Sequence, residues 1–233
     1  MSEALDRVLG IDTLPLFPLP VVLLPNEIVP LHIFEPQYRQ MFQDIELKRN
    51  LFGLNYFEAS DDRPQKPPAG SVGCAAEVRE TQMMPDGRSN IVAMGIVRYR
   101  VREYVDTGTP YFTATVDFFE DEPDLTPQLE FITGEVHDVF ERIAKAAFKL
   151  SDNKGKLPEI PRAEPEKLSF LVTAAFNLDN ELKLELLSTT STAERLERLR
   201  TILLQAVDQM EDSAEIHAVS RTNGHSKKKI DLG

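Results

Sequence analysis

The chain has 233 residues, a formal net charge of −12, one cysteine and no tryptophan. Such a length suits one large or two small domains that bury roughly 70% of the unfolded surface without covalent staples. The lone Cys74 excludes an internal disulfide and a cysteine-rich zinc site, the acidic balance opposes polyanions such as DNA or RNA, and no apolar run approaches the ~18 residues of a membrane span.

Residues 1–12 carry acids early, lack the basic start and apolar stretch of a secretory signal, and read as a short leader. With the unpaired cysteine, this predicts a soluble, cytoplasmic protein. From residue 13 to 122 the pattern is β. Residues 14–24 and 28–33 are apolar and β-branched, with Pro15, Pro18, Pro20, Pro25 and Pro30 holding them to edges, strand starts or bends. Pro36 then suits a first helical position, and Tyr38, Met41, Phe42 and Ile45 recur at i, i+3, i+4 and i+7, so a helix runs to about residue 47. Residues 51–58 predict another strand and 61–70 a Pro- and Asp-rich loop.

Residues 72–83 and 90–104 flank Pro85-Asp86-Gly87, where Pro presets φ and Gly takes the positive φ, so a long antiparallel hairpin is expected. Residues 111–119 alternate as a further strand. After the acidic link 120–124 the period changes from two to 3.6. Leu129, Ile132, Val136, Val139, Phe140 and Ile143 form one face of a helix ending near Leu150. A loop over 151–164 precedes a helix opened by Pro165, a short helix spans 179–187, and the Ser191/Glu194 spacing starts a last helix striped by Leu196, Leu199, Leu203, Ala206 and Met210. Periodicity is lost from residue 213, and 213–233 reads as a disordered tail containing Lys227-Lys228-Lys229. The fold class is therefore α+β: a β-barrel or curled sheet over 13–122, then a helical bundle over 123–212.

Catalytic chemistry has no visible home. A phosphate loop needs G-x-x-x-x-G-K-[ST], but Gly155-Lys156 is followed by Leu157 and Leu150 stands where the first Gly belongs. No G-x-S-x-G elbow exists. The histidines 32, 137, 217 and 225 show no metal spacing with each other or with Cys74. No catalytic residue, cofactor or metal is expected. His32 reads as a hydrogen-bonded structural histidine and Cys74 as a small core filler. Glu35 and Arg39, at i and i+4 of a helix start, predict a structural ion pair.

Several separated motifs carry a resemblance. LPLFPL at 14–19 and PLHIFEPQYR at 30–39 come first, then Pro85-Asp86-Gly87-Arg88 and Gly95-Ile96-Val97-Arg98-Tyr99-Arg100-Val101. Leu168-Ser169-Phe170-Leu171-Val172, Leu178-Asp179, Glu185-Leu186-Leu187 and Ser191-Thr192-Ala193-Glu194-Arg195-Leu196 follow in order. The chain resembles a stand-alone N-terminal substrate-binding domain of the Lon protease family over about residues 13–210, departing from it where Pro20-Val21-Val22 replaces a polar position. The resemblance implies a PUA-like β subdomain followed by a helical bundle. It further implies engagement of unfolded or tagged protein clients, with a protease as a further partner, and no ATPase or Ser–Lys peptidase domain. The function expected is a non-catalytic protein-binding module acting as adaptor or regulator in protein quality control. The alternative is an RNA-binding PUA-type domain, which the acidic charge disfavours. Extended polypeptide needs apolar surface beside a groove or strand edge. The candidates are Phe17, Phe34, Tyr38, Met83 and Met84. Alternation points the two methionines to opposite faces, and Met84, beside Pro85, is taken as the outward one.

Overall fold

The computed structural model describes residues 2–58, 66–124, 126–151, 160 and 162–223, with backbone alone from 214 onward. Residues 61–65 of the expected 61–70 loop, most of the expected 151–164 loop, and the basic run at 227–229 lie outside the described residues. The chain folds as two compact units. The first holds Met1–Pro123 and Phe170–Ser191, the second Asp124–Ser169 and Thr192–Gly233.

The first unit opens with α1 (Glu3–Arg7), whose N-cap Ser2 accepts a hydrogen bond from Leu5 N. The leader is not loose: Val8 is buried in the barrel core beside Leu14, Leu16, Tyr99 and Val101. Six strands follow, β1 (Thr13–Leu19), β2 (Ile28–Ile33), β3 (Leu51–Tyr56), β4 (Val72–Met83), β5 (Ser89–Val105) and β6 (Phe112–Phe119). Their order is β2-β5-β4-β3-β1-β6, with β5 also paired to β6. That extra pairing closes β1, β3, β4, β5 and β6 into a barrel. It is possible because β5 is long enough to serve two partners: residues 89–94 pair with β2 and residues 98–105 with β6.

Proline placement follows from the same pairing. Pro15 pairs with Thr113 of β6 before the β3 register begins at Leu16, and Pro18 pairs with Asn55 of β3 after the β6 register has ended. Each missing N–H therefore falls where β1 has a strand on one side only. Pro30 sits in β2, an edge strand bonded to β5 alone.

Helix α2 (Pro36–Glu46) covers the barrel with Met41 and Ile45, which pack with Phe17, Phe52, Leu54 and Ile91. The second half of α4 (Pro165–Ala175) and all of α5 (Asn180–Ser188) belong to this unit too. Expectation set the helical half apart from residue 123 onward. The segment Phe170–Ser191 departs from it because Phe170 and Leu187 pack with Val22, Leu24 and Val72.

One polar group sits at the centre of this packing. Arg98 is 1% exposed and donates to Leu187 O at 3.1 Å and Thr189 O at 2.7 Å. It also pairs with the buried carboxylate of Asp121, while its guanidinium lies over Phe119 and Phe170. The barrel, the acidic link and the end of α5 thus share one cation.

In the second unit, α3 (Pro127–Leu150) buries Leu129, Ile132, Val136, Val139, Phe140 and Ile143, the face expected from its periodicity. Helix α6 (Thr192–Asn223) buries Leu196, Leu199, Leu203 and Val207. Glu135 pairs with Arg200 and Arg142 with Glu211, so the two helices run parallel. The helix continues through residues 213–223, where a tail was expected. Loss of an apolar stripe does not by itself end a helix. Residues 224–233 lie outside the described residues.

Buried and half-buried acids of high pKa yield an alkaline prediction. Burial pushes the Cys74 thiol up to about 12 and Tyr104 to about 12. Tyr111 rises to about 12 through burial and through the Asp44 carboxylate that its hydroxyl meets at 2.7 Å. Each folded value lies above the unfolded one. The folded state therefore holds more protons at high pH, and the stability present below about pH 8.5–10 is lost as pH rises toward 12. Urea midpoints should fall steadily over that window. At pH 8 a disulfide exchange reagent should leave the native thiol unmodified and titrate one thiol in urea. Rapid native modification would show that Cys74 is reachable.

Candidate functional site

The turn of the β4–β5 hairpin is built by local chemistry. Met84 N donates to Arg88 O at 2.8 Å, Gly87 N donates to Met84 O at 3.0 Å, and Gly87 takes φ 79°. Asp86 accepts from Arg88 N and Nε, and the hydrogen bond from the Arg88 side chain holds its carboxyl below the usual range. Exposure then distinguishes the methionines. Met83 pairs with Ser89 as the last residue of β4 and is 59% exposed, while Met84 is half-buried. The outward residue is Met83, not Met84.

Between this hairpin and α2 lies a cleft of about 120 Å³, with Phe42, Val78, Met83 and Ile91 as apolar wall and Arg39, Thr81 and Ser89 among its polar groups. Phe17 is not available to a client. It is 5% exposed and packs with Tyr38, Phe42 and Phe52, at ring centroid distances of 4.3, 5.8 and 6.3 Å. Tyr38 is half-buried against it, and burial raises its hydroxyl pKa. Phe34 is 57% exposed and stacks on His32, 5.9 Å between ring centroids, at the end of the edge strand β2. His32 in turn bonds Asn90 through Nδ1, 2.7 Å away. Of the five residues singled out in the sequence, only Met83 lines the cleft.

The expected ion pair does not form. Among the described residues Glu35 meets no cation; its Oε2 accepts from Gln37 Nε2 at 3.1 Å. The Arg39 guanidinium is drawn instead to the hairpin turn, where a Cβ on Gly87 would lie 2.1 Å from Nη2. The i, i+4 spacing places both side chains near each other, but the exposed pair is worth only about 0.3–0.5 kcal/mol and a tertiary contact overrides it.

A second groove lies across β2, β5 and β4, lined by Pro30, His32, Thr81, Asn90 and Val92. No group of His, Cys, Asp and Glu among the described residues is arranged to hold a metal ion, and no helix there is long and apolar enough to cross a membrane.

Comparison with known proteins decides the family. Residues 13–205 match the model of the ATP-dependent protease La (LON) substrate-binding domain. The chain belongs to the Lon substrate-binding domain family. Among relatives, the Lon protease of Koribacter versatilis is 27% identical over 199 residues, covering 84% of this chain and 24% of that protein. The Lon protease of Solibacter usitatus is 28% identical over 192 residues, covering 82% and 24%. The chain thus spans about a quarter of the length of the curated relatives it matches.

Two solved structures share the fold. The Lon N-terminal domain protein from Xanthomonas campestris has a TM-score of 0.58 at 23% identity, covering 81% of this chain and 97% of that one. The N-terminal domain of the Mycobacterium avium complex Lon protease has a TM-score of 0.61 at 18% identity, covering 82% and 97%. The α+β architecture read from the sequence is that of this Lon-type domain.

Proposed function

We propose that this Lon-type domain is a non-catalytic module that holds protein clients, unfolded or tagged, and serves as an adaptor or regulator in protein quality control. Family membership supports the class of ligand. The observation that carries the site is Met83, exposed at the lip of a cleft lined by Phe42, Val78 and Ile91. A flexible thioether beside apolar walls suits clients of varied sequence. The edge strand β2, with exposed Ile28 and Phe34, offers a second apolar contact. The net charge of −12 argues against RNA as the ligand. ATP hydrolysis and casein cleavage are not expected, since the phosphate loop is missing from the sequence.

The test is capture of a permanently unfolded protein, reduced and alkylated serum albumin, against its native form. Binding of the unfolded form alone is expected. Met83→Glu should weaken it about tenfold, because a carboxylate would have to be desolvated against an apolar client. The melting temperature should hardly move, since Met83 is 59% exposed. Undiminished capture by a stably folded Met83→Glu variant would place the site elsewhere, with Phe34→Ala the next variant to measure.

A further inference from the structure

The cleft beside Met83 contains a cation without a counter-ion. Arg39 is half-buried, its guanidinium packed over Gly87, and among the described residues no carboxylate, carbonyl or hydroxyl bonds it. The other cation of the cleft, Arg79, is already held by Glu77 at 3.0 Å. Glu46 also lines the cleft but makes no ion pair with Arg39. A partly desolvated charge without a partner is costly, and a guanidinium offers a planar fork matched to a carboxylate. The surface next to it is apolar, with Phe42, Met83 and Ile91.

Resting on the client-binding reading above, we infer that this cleft selects a carboxylate adjoining a bulky apolar side chain. The apolar group lies along the Met83 wall and the carboxylate meets Arg39. The carboxylate can come from an internal Asp or Glu or from the end of a client chain. With Arg79 held by Glu77, Arg39 is the cation of this cleft left to meet an incoming carboxylate.

Fluorescence anisotropy with the full chain tests this. One probe pair is a fluorescein-labelled Gly-Ser-Leu-Phe-Asp-Ser-Gly amide and its Asn counterpart. The other is a labelled peptide ending in Leu-Phe as free acid and as amide. An acid preference of about tenfold in either pair is expected, reduced by salt, and the pair that shows it identifies the source. Arg39→Gln should bring the acid-to-neutral affinity ratio of that pair to about one, and Arg39→Lys should keep part of it. Equal binding of acid and neutral peptides to the native protein overturns the inference, as does a preference that survives Arg39→Gln. The wild-type arms decide even if a variant folds poorly. Unfolded albumin captured through Met83 with no acid preference would sink this inference alone. An acid preference lost in Arg39→Gln, without albumin capture, would support the site and remove the general client reading.

Discussion

Replacing Arg98 with alanine is expected to lower the unfolding free energy by about 3–5 kcal/mol, the cost typical of stranding one partner of a buried ion pair. The physical reason is what stays behind. The Asp121 side chain is 5% exposed and would lose the cation it pairs with, and the carbonyls of Leu187 and Thr189 would each lose a donor. Phe119 and Phe170 would lose the guanidinium that lies over them. Urea denaturation reads the global loss. Hydrogen exchange should show α5 and residues 120–123 opening first, since these segments meet at Arg98. A double variant, Arg98→Met with Asp121→Leu, should recover most of the stability by removing both charges together. A loss under 1 kcal/mol for Arg98→Ala, or a double variant no better than the single one, would show that the pair does not hold the acidic link.

Gly73→Ala should cost about 2–3 kcal/mol, toward the upper end for an overpacked core. In the barrel interior the Tyr99 hydroxyl donates to Asn55 Oδ1 between β3, β4 and β5. Gly73 leaves room for it. A Cβ there would stand 2.5 Å from Leu54 O, 2.7 Å from the Tyr99 hydroxyl and 2.8 Å from Asn55 Nδ2. The first of these is backbone, so relief would require the β3–β4 ladder to part at Asn55↔Gly73. Gly108→Ala is the control. Gly108 has φ 69° and open space around its Cβ position, so it should lose only the conformational term of about 1 kcal/mol. Equal urea midpoints for the two variants would mean that steric room at Gly73 is not what the barrel requires.

Sequence by itself determined the elements whose signals are local. Pro36 and the 3.6 period located α2, the Pro85-Asp86-Gly87 turn located the β4–β5 hairpin, and the apolar face of α3 matched its buried residues. The ordered motifs also carried the family, matched over residues 13–205. Tertiary structure decided everything that depends on distant partners. An arginine in an alternating strand reads as surface, yet Arg98 is buried because Asp121 and the end of α5 arrive from 23 and about 90 residues away to satisfy it. Alternation alone could not say which of Met83 and Met84 faces outward; β4 ends at Met83, and in the folded chain Met83 is 59% exposed while Met84 is half-buried. Spacing set Glu35 and Arg39 on one helix face, while folding carried Arg39 to Gly87, because an exposed helical ion pair is too weak to resist a tertiary contact. Closure of the barrel was equally non-local. It required the parallel β1–β3 register and a β5 long enough to reach both β2 and β6, neither of which any window of neighbouring residues encodes.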